Sequence, residues 1–169
     1  TWSADVPAAS TGGGDADYQN DAAQLIISWS GSDTASGIVA YEYALGTTSG
    51  GTETISWTNS GTSTSDTITG LNLSEGSTYY LSVRATDAAE NVSSVITSDG
   101  ITIDLTAPAG TTTNDGTAND IAYTGSSSTL SSNWKSFAET VSGISKYEYA
   151  IGTTSGGTDI VSWTENASD

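Results

Sequence analysis

Cysteine, histidine and methionine are absent from all 169 residues. Without cysteine the chain forms no disulfide and offers no thiolate. Without histidine it has no imidazole to bind a metal or to act as a general base near neutral pH. Basic residues are almost missing too: Arg84, Lys135 and Lys146 stand against 20 acidic residues, for a formal net charge of −17. A field of that sign repels phosphate backbones and anionic lipid headgroups, which disfavours nucleic acid and membrane surfaces as partners. No run of about 18 apolar residues occurs, so no helix that inserts directly into a membrane is expected. No signal-like segment opens the chain, and without an initiating Met it is expected to be mature or excised from something longer. The lack of cysteine does not argue for the cytosol, because extracellular repeats can rely on apolar cores and bound ions instead. Proline is confined to Pro7 and Pro108.

What is present is repetition. Tyr41-Glu-Tyr-Ala-Leu-Gly-Thr-Thr-Ser-Gly-Gly51 returns as Tyr147-Glu-Tyr-Ala-Ile-Gly-Thr-Thr-Ser-Gly-Gly157. Ser36-Gly-Ile38 returns as Ser142-Gly-Ile144, and Ser56-Trp-Thr58 as Ser162-Trp-Thr164. The period is slightly over a hundred residues, too long for a solenoid and suited to one compact domain. Ser, Thr and Gly abound, yet hydrophobic residues make up 35% of the chain, enough to bury a core.

The hydrophobic pattern is that of strands. Leu25, Ile27 and Trp29 alternate with Gln24, Ile26 and Ser28. Tyr41, Tyr43 and Leu45 share one face against Glu42 and Ala44. Residues 53–58 give a third strand with Ile55 and Trp57 assigned to one face, and 65–69 a short one with Ile68 inward. Tyr79, Leu81, Val83 and Ala85 alternate with Tyr80, Ser82 and Arg84 in the clearest strand of all. Residues 93–103 close the set, interrupted near Asp99-Gly100. Turn residues punctuate these runs every 8–12 positions, and no helical period appears, so an all-β sandwich is expected. Residues 1–23 read as an entry segment with a first edge strand near Val6, residues 24–104 as one module, and 105–169 as the N-terminal part of a second. That second copy has no counterpart of Ile68, Tyr79 or Val83. It is expected to be a fragment of a longer array, or to be completed by strands of a neighbouring chain.

Several segments together resemble the fibronectin type III family and related bacterial Ig-like repeats. Leu25-Ile-Ile-Ser-Trp29 is similar to that family's second strand, and Gly37-Ile-Val-Ala-Tyr-Glu-Tyr43 to its third. Thr67-Ile-Thr-Gly-Leu71, Gly76-Ser-Thr-Tyr79 and Tyr79-Tyr-Leu-Ser-Val-Arg-Ala85 resemble its tyrosine corner and the strand that follows. The resemblance implies tandem antiparallel β-sandwich modules, the second incomplete here. It makes Tyr79 the corner tyrosine, with its hydroxyl bonded back to the loop. Ser74-Glu75 stand where the family usually has proline before the corner glycine. Asp104-Leu-Thr-Ala-Pro108 and Thr86-Asp-Ala-Ala-Glu-Asn91 look like junction and loop-tip sequences of large bacterial surface adhesins, some of which hold calcium. That likeness implies an extracellular, cell-surface array protein.

Candidate sites follow from the residue types left. Calcium takes six to eight oxygens, and Asp87, Glu90 and Asn91 share a loop, with Asp104 at the junction. The alternative is that these are turn residues bonding their own backbone. Asp33 has Glu139 near the matching position of the second copy, both read as solvated charge. Trp57, Tyr80 and Trp163 are nominated as a carbohydrate or partner platform, against simple packing over a sheet edge. Trp29, Tyr41, Tyr43, Tyr79 and Val83 form the expected core of the first module, and Trp134, Tyr147 and Tyr149 that of the second. Nothing sets two carboxylates in a pocket for glycoside chemistry, so the chain is read as no enzyme. No cofactor other than calcium is implied. The expected function is a non-catalytic structural or spacer module of a surface, adhesin or fibre-like protein, contacting neighbouring modules and a cell-surface protein or glycan. Two alternatives are a carbohydrate-binding module of a secreted glycan-active enzyme, and a self-assembling fibre or homo-oligomer subunit completed by a neighbour's strands.

Overall fold

The computed structural model describes residues 8–9, 15–135 and 137–166. Among them every regular element is a strand, thirteen in all, and no helix occurs. The chain divides into two compact units, residues 1–106 and 107–169.

In the first unit β1 (Ala8–Ala9), β3 (Gln24–Ser28) and β6 (Ser65–Thr69) form one antiparallel sheet in the order β1-β3-β6. The second sheet runs β2-β9-β7-β4-β5. Its strands are β2 (Tyr18–Gln19), β4 (Ile38–Gly46), β5 (Ile55–Gly61), β7 (Thr78–Asp87) and β9 (Ile101–Ile103), and β8 (Ile96–Thr97) also pairs with β7. Every pairing here is antiparallel except β2 with β9. Val6 lies outside the described residues, but Ala8 and Ala9 pair with Ser28 and Ile27 at the edge of the first sheet.

One core lies between the two sheets, an arrangement consistent with a β-sandwich. Leu25, Ile27 and Ile68 come from the first sheet; Tyr41, Tyr43, Leu45, Tyr79, Leu81, Val83, Ile101 and Ile103 come from the second. Period-2 alternation produces this, since each inward residue is flanked by outward neighbours such as Gln24 and Ser28. Trp29, just past β3, packs against Tyr41 and Tyr43 with ring centroids 6.0 and 5.7 Å away.

Strand β5 departs from simple alternation. Tyr43 faces Thr58 and Leu45 faces Ile55, so three steps on β5 span two on β4. This bulge sends Ile55 to the core while Trp57 reaches the outer face beneath Arg84, and the two do not share a face. The closing strand is broken between β8 and β9, and serines before β8 and in the break tie it to β7. Ser93 and Ser98 each donate a backbone N–H to β7, to Ala85 and Leu81, and accept those residues' N–H groups on their hydroxyls.

The second unit has two antiparallel pairs. β10 (Thr113–Asp115) pairs with β11 (Ser132–Trp134), and β12 (Tyr147–Ile151) with β13 (Val161–Asn166). β12–β13 keeps the bulge of β4–β5, with Tyr149 facing Thr164 and Ile151 facing Val161. Trp134, Tyr147 and Tyr149 are half-buried rather than enclosed. Ring contacts from Trp134 of the first pair and from Phe137 to Tyr147 of the second hold the two pairs together.

Candidate functional site

Two places on the first unit gather polar chemistry: the loops at one end and the outer face of the larger sheet. At the end, the loop before β4 meets the loop after β7 through the N–H of Ala88 donating to Gly37 O at 3.1 Å. Asp33 Oδ2 accepts the N–H groups of Ser36 and Gly37, both at 2.8 Å, and the Ser36 hydroxyl at 3.2 Å. Asp87 Oδ1 accepts the N–H of Ala89 at 2.9 Å and of Asn91 at 2.8 Å, while Oδ2 accepts Asn91 Nδ2 at 2.9 Å. Glu90 takes a left-handed φ of 67° at the tip of this turn. The Ser36 and Gly37 N–H groups hold Asp33 below the ordinary carboxylate pKa. The Asn91 amide side chain and N–H do the same for Asp87. Between the loops lies an open cleft of about 200 Å³ bordered by Asp33, Ile38, Asp87, Asn91 and Val92.

The four residues considered for calcium divide. Asp87, Glu90 and Asn91 share the loop after β7. Asp104 follows β9, whose Ile103 O accepts the N–H of Gly76, just before β7 begins. The length of β7 separates them, about 30 Å at strand rise. Both Asp87 oxygens already accept donors of their own turn. Among the described residues no group of three or more acidic side chains converges on one point. The end loops are thus organised by carboxylates that cap backbone N–H groups, as Asx turns do. Glu139 behaves likewise in the second unit, accepting the N–H of Thr140 and, at 2.7 Å, of Val141.

On the outer face, Glu42 and Arg84 are cross-strand partners on β4 and β7. Arg84 Nε donates to Glu42 Oε2 at 2.8 Å, and its guanidinium carbon lies 4.3 Å from the centroid of the Trp57 ring. One face of that indole therefore carries a guanidinium rather than standing bare for a sugar. Tyr80 lies on the same face, its ring against Gly100, where a Cβ would approach within 2.9 Å of a ring carbon. Gly100 has φ 107° and leaves that space open. Trp163 sits on β13 with 67% of its surface exposed. The aromatic set is thus a half-buried Trp57 under Arg84, a Tyr80 packed on backbone, and a bare Trp163 in the other unit.

Two further features concern the turns, and the first is the loop bond of Tyr79 that the family resemblance implied. The Tyr79 hydroxyl accepts the N–H of Ser74 at 3.0 Å and ties the 71–76 loop to the core. The turn after β4 is built the same way in both units. Glu53 accepts the N–H and hydroxyl of Thr47, and Asp159 those of Thr153. Gly46 and Gly152 each stand where a Cβ would strike the backbone of Gly51 or Gly157. The Thr47 hydroxyl and N–H lower the Glu53 carboxyl pKa to about 2.

No family model, curated protein or solved structure matches this chain.

Proposed function

We propose that this chain is a load-bearing, non-catalytic segment of an extracellular surface or fibre-like array, built from fibronectin type III-like modules. The observation that carries the reading is the parallel pairing of β2 with β9. Chain enters the larger sheet of the first unit through β2 and leaves through β9, and the two run the same way. Tension on the two ends then pulls these strands in opposite directions along their length. Thr102 N–H to Asp17 O and Asp104 N–H to Gln19 O, both 2.8 Å, are loaded together in shear rather than opened one at a time. Gln19 anchors the short strand: it is buried, and its side-chain amide donates to the carbonyls of Asp21 and Gln24.

Other observations support the module type and setting. The sheet orders β1-β3-β6 and β5-β4-β7-β9, with Tyr79 bonded to Ser74, agree with the family resemblance. The repeat of one hairpin in both units agrees with an array. A charge of −17 keeps crowded neighbours apart and soluble.

Single-molecule pulling on the full chain tests the proposal. The first unit should yield at a discrete force peak with a contour-length step of roughly 250–300 Å. Asp104→Pro, which deletes one shear-loaded donor, should lower the peak force and leave the step unchanged. Extension without a peak, or a peak indifferent to that substitution, would refute the load-bearing role.

A further inference from the structure

Asp-Gly occurs twice in the chain, at Asp99-Gly100 and at Asp115-Gly116. The pair is reactive because glycine has no side chain to shield its nitrogen from the carboxyl group of the residue before it. The two copies are held differently. Gly116 is buried, and its N–H donates to Ser131 O at 2.6 Å. Asp115 lies on β10 opposite Ser132, and its carbonyl accepts the N–H of Ile121 at 3.0 Å.

Asp99-Gly100 lies in the break between β8 and β9. On β7 three steps lead from Tyr79 to Ser82, but four lead from Ile101 back to Thr97 on the closing strand. One residue is in excess there, and a bulge leaves the amide of its extra residue off the ladder. Neither the Asp99 side chain nor the Gly100 N–H has a hydrogen-bond partner among the described residues. Asp99 is exposed, and Gly100 takes φ 107°, a conformation open to glycine.

We propose that Asp99-Gly100 is a self-modifying site, at which the backbone rearranges through a cyclic imide to isoaspartate. The Gly100 nitrogen attacks Asp99 Cγ and forms a C–N bond. The nitrogen's proton and the carboxyl hydroxyl leave as water, which closes a succinimide ring. Water then opens the ring. Addition at the Asp99 main-chain carbonyl carbon breaks the original peptide bond, so the chain runs on through Cβ and Cγ and a new α-carboxylate is set free. Addition at Cγ restores aspartate. Nothing is oxidised or reduced, and water is the only other reactant. The excess residue of the bulge gives the added methylene room without drawing Thr97 or Ile101 off β7. Both reacting groups belong to the chain, so the inference does not rest on the array reading.

The test incubates the full folded chain at neutral pH and follows both Asp-Gly peptides by mass spectrometry. The succinimide is read as loss of one water, and its hydrolysis in heavy-oxygen water as uptake of one label. Isoaspartate is counted by enzymatic methylation of the new α-carboxylate. It should accumulate at Asp99 about tenfold faster than at Asp115, the factor implied by one hydrogen bond that must open first. In the chain unfolded by guanidinium the two sites should react at similar rates. Asp99→Glu, which would have to close a larger and slower-forming ring, should remove the signal from its peptide and leave the circular dichroism spectrum unchanged. The proposal is overturned if the folded chain forms isoaspartate no faster at Asp99 than at Asp115. It is overturned equally if Asp99 stays unmodified in the folded chain while the unfolded chain reacts there.

Discussion

Removing one oxygen atom from Tyr79 isolates the bond that closes the 71–76 loop. The ring is 6% exposed and belongs to the core, so Tyr79→Phe keeps the packing and deletes only the hydroxyl. The rest of the loop stays tethered, because Leu71 and Leu73 donate their N–H groups to Ala23 O and Ala22 O, both at 3.0 Å. Ser74 is therefore held in place with its N–H lacking the Tyr79 acceptor. Its exposed position lets water compensate in part, so the loss is about 1–1.5 kcal/mol rather than the larger penalty of a sealed donor. For a unit of this size unfolding entropy near the midpoint is about 0.2 kcal/mol per kelvin, so Tm should fall by about 5–8 °C. Calorimetry and urea titration of the full chain measure this. Ser74→Ala is the control: it retains the N–H and should change stability by less than about 0.5 kcal/mol. A Tyr79→Phe effect below about 0.3 kcal/mol, or an equal effect from Ser74→Ala, would refute the assignment of the bond.

Two other predictions follow from burial and from the carboxylate caps. Leu45→Ala should cost about 2–5 kcal/mol in urea titration, as deletions at enclosed positions do. Ile151→Ala, at the matching but half-buried position, should cost less than half as much, and equal costs would contradict the difference in burial between the units. Folded-state pKa values of Glu53, Asp33 and Asp87 lie below their ordinary values, so ionisation favours the fold. Their contribution is present above the usual carboxylate range near pH 4 and is lost as pH falls below it, for Glu53 toward about 2. The urea midpoint should therefore decline between those values, even though acid also relieves self-repulsion. A midpoint that rises on acidification would show repulsion to outweigh the caps.

Much of the fold could be read along the chain. Alternation at 24–28, 41–45 and 79–85 marked the strands because one face of each meets an apolar core and the other meets water. The internal repeat marked a hairpin that recurs in both units, and the absence of histidine and cysteine removes whole classes of chemistry. The outer-face site was less legible. Period 2 placed Ile55 and Trp57 together, and one extra residue in β5, set by how it pairs with β4, put them on opposite faces. The closing strand is interrupted where Asp99-Gly100 marked it, but the bonds from the Ser93 and Ser98 hydroxyls to β7 carried no signal in the sequence.

Residue identity and spacing by themselves determined the all-β class, the repeat, the charge and the local turns. These depend on interactions between near neighbours or on composition alone. Tertiary structure decided that Asp87 and Asp104 lie at opposite ends of β7, that Arg84 caps Trp57, and that β2 runs parallel to β9. It also decided that near-identical strands are enclosed in one unit and half-buried in the other. Those outcomes depend on which distant segments pair and in what register, and a strand carries no mark of its partner until the partner lies beside it.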